Sequence, residues 1–157
     1  MTESAHWVVF RLDDRQYALP LAVVERVVRA ADVTPLPKAP AIVLGVIDVE
    51  GRVLPVLSVR RRFRLAEREI SPADEFLIVQ TARGPVALVV DEAQGVIERP
   101  ATEIVGPAQI VPGLEQIKGV IKLGDGLVVI HDMEKFLSLD EARNLDAAMR
   151  PEVAHGT

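Results

Sequence analysis

The sequence predicts an all-β protein made of two similar small lobes, and three observations carry that prediction. The first is an internal repeat. Residues 45 to 63 (GVIDVEGRVLPVLSVRRRF) and 119 to 137 (GVIKLGDGLVVIHDMEKFL) share one phrase: Gly-Val-Ile, a polar turn with Gly, an apolar run, then a charged segment. The offset is 119 − 45 = 74. Residues 7 to 28 also align without a gap onto 76 to 97, at 76 − 7 = 69, pairing Trp7 with Phe76, Ala18-Leu19 with Ala87-Leu88 and Val27-Val28 with Val96-Ile97. The second is composition: 49 % of the chain is hydrophobic, valine and isoleucine are prominent, and aromatics are only 4 %. β-Branched side chains lose little freedom on a pleated surface, so this bias favours strands. The third is rhythm, since short apolar runs are broken by turn residues roughly every 6 to 12 positions, as in small closed barrels or a sandwich.

In chain order, a strand over Trp7 to Leu12 stops at Asp13-Asp14, and Gln16 to Leu19 stops at Pro20. Val23 to Val28 forms a third strand. Ile42 to Val49 and Arg52 to Val59 make a hairpin through Glu50-Gly51. Pro55 lacks an N–H, which predicts an edge or a bulge there. The second lobe repeats the scheme with Phe76 to Thr81, Val86 to Val90, Val96-Ile97, Ile117 to Leu123, and Leu127 to His131 after the turn Gly124 to Gly126. Val59 to Leu65 and Asp132 to Phe136 read as short helices. Ser138-x-x-Glu141 reads as a capping box opening a helix over 138–150, with Leu139, Ala142, Leu145 and Met149 on one face. Pro151 stops it, and a flexible tail over 151–157 is expected. The pattern divides into lobes of approximately 14–75, with part of the N- or C-terminal strands exchanged, and 76–137, interlocked within one domain, 1–157, because small lobes bury too little surface to stand alone.

Several function classes are disfavoured. The chain has no cysteine, so thiolate chemistry and Cys-ligated metals are excluded, and a reducing cytoplasm is the simple expectation. The opening MTESAHW lacks the pattern of a signal peptide, and no apolar run reaches the ~18 residues of a membrane helix. A net charge of −5 argues against a broad nucleic-acid or anionic-membrane surface.

No catalytic centre emerges. His6, His131 and His155 are far apart, and His131-Asp132 reads better as a strand end with Asp132 capping the next short helix. Neighbouring carboxylates in Asp13-Asp14 and Asp91-Glu92 point apart on extended chain and make no acid–base dyad. Gly124 to Gly126 lacks the Lys-Ser/Thr ending of a phosphate loop. Ser58, Ser71 and Ser138 lack a nucleophile-elbow context. The basic run Arg60, Arg61, Arg62 and Arg64 could meet phosphates or an acidic protein partner, or lie on a solvated short helix. Arg26, in the third strand, and Glu50, in the hairpin turn, suggest either a surface ion pair or the charged rim of a groove. A non-enzymatic small-barrel ligand or oligonucleotide binder is the alternative, and it requires a basic face with stacking aromatics that this composition does not supply.

The ordered set Gly45 to Gly51, Val53 to Leu57 and Arg60 to Phe63, then Leu88 to Ile97, then Ile117 to Val120 with Leu127 to Phe136, resembles the bacterial chemotaxis coupling family CheW over about residues 6 to 140. The resemblance implies two intertwined five-stranded SH3-like β-barrels and an adaptor without enzymatic activity or cofactor. It implies as partners the regulatory domain of the histidine kinase CheA and the cytoplasmic tip of chemoreceptors, so that a cytoplasmic protein is recruited to membrane-associated arrays with no direct membrane insertion. Carried onto this chain, the receptor groove or rim takes in Val24, Arg26, Val27, Glu50, Gly51 and Ala87. The kinase-facing candidates are the loops at Asp13, Asp14, Pro40, Ala41 and Ile42. One departure stands out. The family turn is usually Asn-Leu-Arg-Gly, but here it is Asp48-Val49-Glu50-Gly51, and the glutamate that accompanies the family's arginine is matched by Arg26. Both signs are reversed.

Overall fold

The computed structural model describes residues 4–105, 117–124 and 126–150. Eleven strands are described: β1 (Ser4–Leu12), β2 (Arg15–Pro20), β3 (Val24–Arg29), β4 (Val43–Val49), β5 (Arg52–Leu57), β6 (Glu75–Thr81), β7 (Gly84–Val90), β8 (Glu92–Pro100), β9 (Ile104–Val105), β10 (Ile117–Leu123) and β11 (Gly126–His131). Among the described residues helix is confined to α1 (Val59–Arg62), α2 (Leu139–Met149) and short 3-10 turns. The Gly124–Gly126 turn lies partly outside the described residues, and the expected tail over 151–157 lies wholly outside them.

The strands form two sheets. One has the order β3-β6-β7-β5-β4; the other has β8-β1-β2-β11-β10-β9. The repeat explains both. Under the two offsets β1 and β2 match β6 and β7, β3 matches β8, and β4 and β5 match β10 and β11. Each sheet therefore places the leading hairpin of one repeat between the third and fifth strands of the other. The outer strand of each hairpin is antiparallel to the third strand and its inner strand parallel to the fifth: Val56 pairs with Ala87, and Val129 with Tyr17. The two-residue β9 makes the second sheet six-stranded. Residues 24–90 supply all of the first sheet, here called the continuous lobe. The split lobe takes 4–20 and returns for 92–131. The sheets thus do not divide at residue 75: β6 and β7 belong with β3, β4 and β5.

Pro55 corrects half of another expectation: β5 is not an edge but an interior strand between β7 and β4, and the irregularity beside Pro55 is the β4 register shift between Val43 and Gly45, opposite Leu57 and Val56. The β7 ladder begins only at Val56, so the missing N–H at Pro55 interrupts no bond on that side. The glycine opening each repeated phrase also has a physical cause. A Cβ on Gly45 would lie 2.2 Å from the Thr34 carbonyl oxygen, and one on Gly119 would lie 2.8 Å from that of Val105. Both positions are crossed closely by backbone: the Thr34–Val46 bridge in one lobe, β9 in the other.

Each lobe has its own small core. Ile47, Leu54, Val56, Phe76 and Ile78 fill the continuous lobe, while Trp7, Val9, Ile121, Val128 and Ile130 fill the split lobe. The largest cluster lies between them. Phe10, Leu12, Tyr17 and Leu19 of one exchanged hairpin meet Leu77, Val79, Val86 and Leu88 of the other, with Met133, Phe136 and Leu145 from the C-terminal segment. Strand alternation accounts for this, since Trp7 and Val9 face the split-lobe core while Phe10 and Leu12, beyond the register shift at Val9/Phe10, face the seam.

Candidate functional site

The rim of the continuous lobe begins with an irregularity in β3. Its register against β6 shifts between Val24 and Arg26, so Glu25 is the extra residue. A bulge lets consecutive side chains reach the same neighbour, which regular alternation prevents. The Arg26 guanidinium donates to Glu50 Oε1 at 2.9 Å and Oε2 at 3.3 Å. Arg52 donates to Glu25, and Gln80 Nε2 donates to Glu25 Oε1 at 2.7 Å. Glu50 (φ +51°) and Gly51 (φ +86°) turn the β4–β5 hairpin, where Asp48 Oδ1 accepts from the Gly51 N–H at 2.8 Å. β3 and β4 are the two ends of this sheet, so these pairs join by side chains what no ladder among the described residues joins by backbone. The hydrogen bonds from Arg26 and Arg52 hold the Glu50 and Glu25 carboxyls below their usual range.

Apolar surface lies beside this rim. Val27 is 40 % exposed and stands across from Leu77, a seam residue; Val96 is 52 % exposed and stands across from buried Val8. Directly paired residues project from the same face of a sheet, so each valine lies on the seam side of its own lobe. Val24 is half-buried against the seam core, and Gly51 is exposed. Val96 was missed by the sequence reading, although a usable signal existed: it is the repeat-mate of Val27, 96 − 27 = 69. Ala87 corrects that reading in the other direction. It is 0 % exposed between β6 and β5, so it is lobe core and contributes nothing to a groove.

The loop candidates divide similarly. Asp14 and Ala41 are exposed and Pro40 is half-buried, but Ile42 is only 4 % exposed and packs into the seam core. Asp13 is exposed, yet both of its carboxylate oxygens are occupied. Arg60 of α1 donates to Asp13 at 2.8 and 3.1 Å and to Asp91 at 3.0 and 3.1 Å. Asp91 also accepts from the Asp13 N–H at 2.7 Å and from Arg68 at 2.6 Å, and Arg68 donates to both oxygens of buried Asp74. Neither Asp13-Asp14 nor Asp91-Glu92 forms a pair within itself; instead the first members of the two pairs converge on Arg60. The Arg60 hydrogen bond holds Asp13 below its usual pKa. Burial pushes Asp91 up, but the bonds from the Asp13 N–H and Arg60 outweigh it and leave the group depressed.

The basic run is largely spent within the molecule. Arg61 pairs with Glu67 and donates to the Ala41 carbonyl, while Arg62 pairs with Glu141 and lies 5.6 Å from the Phe136 ring centre. His131 is fully buried among Phe10, Tyr17, Phe63 and Phe136, stacked on Phe63 at 4.4 Å, and neither ring nitrogen has a hydrogen-bond partner. Burial lowers its pKa to about 3, so it is a neutral packing element. Asp132 caps the following 3-10 turn by accepting from the Glu134 N–H at 3.1 Å. Among the described residues no group of three or more potential metal ligands converges, and no helix is long and apolar enough to cross a membrane.

Fold and rim together define a two-lobed β scaffold domain whose distinctive surfaces lie along the seam. Known proteins agree. The family description "CheW-like domain" matches residues 6–141. The chain is 28 % identical over 149 residues to the chemotaxis protein CheW of Treponema pallidum, covering 91 % of this chain and 88 % of that protein. It is 33 % identical over 98 residues to the protein FrzA of Myxococcus xanthus, covering 62 % of this chain and 61 % of that one. Among solved structures, the scaffolding protein TtCheW from Thermoanaerobacter tengcongensis superposes with a TM-score of 0.80 at 25 % identity, over 90 % of this chain and 96 % of that chain. The chain belongs to the CheW-like family, and its role is that of a chemotaxis signal-transduction adaptor.

Proposed function

We propose that the chain couples the cytoplasmic tip of chemoreceptors to a CheA-type histidine kinase, acting in the cytoplasm at membrane-associated arrays and doing no chemistry of its own. The receptor tip lies along the seam, with Val27 and Val96 as apolar anchors from the two lobes and Arg26 and Glu50 as the charged rim. The kinase regulatory domain meets the end that exposes Asp14 and Ala41. The observation that carries this reading is the seam itself. Two valines related by the repeat are exposed beside the buried interlobe core, and a two-bond ion pair stands next to one of them.

The reversed polarity of that pair adds a specificity element. Charges that fit one partner repel a partner built for the opposite sign, which separates parallel pathways at little cost in stability. The test is a cycle of Arg26→Glu, Glu50→Arg and the double exchange, read by co-sedimentation with receptor-containing membranes and kinase. If the pair acts as a unit, the double exchange restores folding stability beyond the sum of the single changes, while binding shifts toward receptors of opposite rim charge. Strict additivity, or unchanged receptor preference, would sink this assignment.

A further inference from the structure

The continuous lobe has an open mouth at the end away from its β4–β5 turn. The cleft measures about 660 Å³ and lies between the chain leaving β3 (Ala30 to Val33) and the irregular segment 67–74 that crosses from α1 to β6. That volume is within the range of ligand-binding pockets, and barrel mouths are a recurrent place for them. Its floor is the half-buried fringe of the lobe core, Leu44, Ile70 and Val89, beside Val59, which is fully buried in the seam core.

The charges around the floor decide what can enter. Three arginines line the cleft, but Arg60 is held by Asp13 and Asp91, Arg61 by Glu67, and Arg68 by Asp74 and Asp91. Each of these arginines is already paired with at least one carboxylate, which weakens the cleft's pull on an anion. Two acids remain. Asp32 on one wall and Glu69 on the other are exposed, and neither has an ion pair among the described residues. An apolar floor flanked by uncompensated carboxylates favours an apolar ligand with cationic ends, since each end gains a Coulomb partner at the rim while the middle leaves water.

We propose that this mouth is a docking site for an apolar peptide segment flanked by lysine or arginine. It shares no lining residue with the seam valines, so it would serve a contact additional to the one along the seam. The full chain, ¹⁵N-labelled, can be titrated with the end-capped pentapeptide KVLVK and, separately, with EVLVE. The basic peptide shifts the amide signals of Ala31, Leu44 and Ile70. Its affinity falls about tenfold in the Asp32→Asn/Glu69→Gln double variant, corresponding to the loss of about 1.4 kcal/mol of binding. Ala31→Trp, a change at an exposed position, fills the mouth and abolishes the shifts while the melting temperature stays put. Three results overturn the proposal: no shifts at these amides, equal shifts with the acidic peptide, or shifts confined to Val27 and Val96. None of them touches the seam reading, which is tested by receptor co-sedimentation.

Discussion

The two leading hairpins occupy equivalent places, yet the protein holds their turns by different physics. The β1–β2 turn is clasped by Arg60, which donates to Asp13 and reaches on to Asp91. The repeat offsets carry these positions onto Glu134 (60 + 74) and Ala82 (13 + 69), and those residues are again in contact: the Ala82 N–H donates to Glu134 at 3.2 Å. Both turns have a carboxylate on a backbone amide, Asp91 on the Asp13 N–H and Glu134 on the Ala82 N–H, but only the first adds a cation, Arg60, on the turn's own side-chain carboxylate. The first clasp sits in a half-buried network of arginines and aspartates. The second is exposed and is reinforced by α2, through Arg83–Asp146 and the buried Ala142 and Leu145. Duplication has therefore preserved where the turn is held and not which residues hold it. Any chemistry that fixes the turn's backbone satisfies the fold.

The sharpest way to break this contrast is Arg60→Ala. It strips Asp91 of a partner in a site only 10 % exposed, and loss of one member of a buried pair costs about 3 kcal/mol at the low end. Urea denaturation should show that loss, and a change under about 1 kcal/mol would mean that Arg68 alone suffices. Next comes pH. His131 has a pKa near 6.5 when unfolded and about 3 when folded. Its contribution is complete above about pH 6.5 and shrinks as pH falls, by about 1.4 kcal/mol per unit, or about 2 kcal/mol by pH 5. Asp13 and Asp91, depressed when folded, add acid sensitivity only as pH falls below about 4. Thermal melts of His131→Phe should lose the slope between pH 6.5 and 5; an unaltered slope assigns it elsewhere.

Smaller effects probe the second clasp. Ser138 accepts from the Glu141 N–H at 3.1 Å while Glu141 accepts from the Ser138 N–H at 2.8 Å, a complete capping box on α2. Ser138→Ala should lower stability by about 1 kcal/mol, seen as an earlier urea midpoint with unchanged m-value. Glu134→Ala, the counterpart of Arg60→Ala, should cost only about 0.5 kcal/mol, because the freed Ala82 amide can turn to water. Equal losses for Glu134→Ala and Arg60→Ala would remove the distinction between the clasps.

Much of this architecture could be read from the residues. Strand positions came from alternation and turn chemistry, the capping box from four letters, and the inverted Arg26–Glu50 pair from the family likeness, with its geometry then seen at 2.9 Å. The long-range choices had no signal in the residues themselves; that strands exchange was implied only by the family likeness, and which strands do so was seen only in the sheets. A repeat satisfies its apolar pattern equally well whether each hairpin pairs with its own half or with the other, so the exchange has no local signature. The Arg60 hub joins residues 47 and 31 positions apart, and Asp91 repeats onto Ala22, so no symmetry marks it. Ala87 carried a warning, since its mate Ala18 also sits within an apolar strand, and both prove fully buried.

The exchange of hairpins also sets a timetable for synthesis. Every strand of the continuous lobe has emerged once residue 90 is made, so that sheet can close early. The β1–β2 hairpin, made before the strands it joins, must wait: β1 gains its second neighbour when β8 arrives, but the free edge of β2 stays bare until β11 is translated, 128 − 16 = 112 residues after the partner it will join. An uncovered, largely apolar strand edge is sticky for that whole interval. The hairpin made before either sheet is thus the last to be sheltered, and a pause in translation between β8 and β11 is where this molecule is most exposed to aggregation.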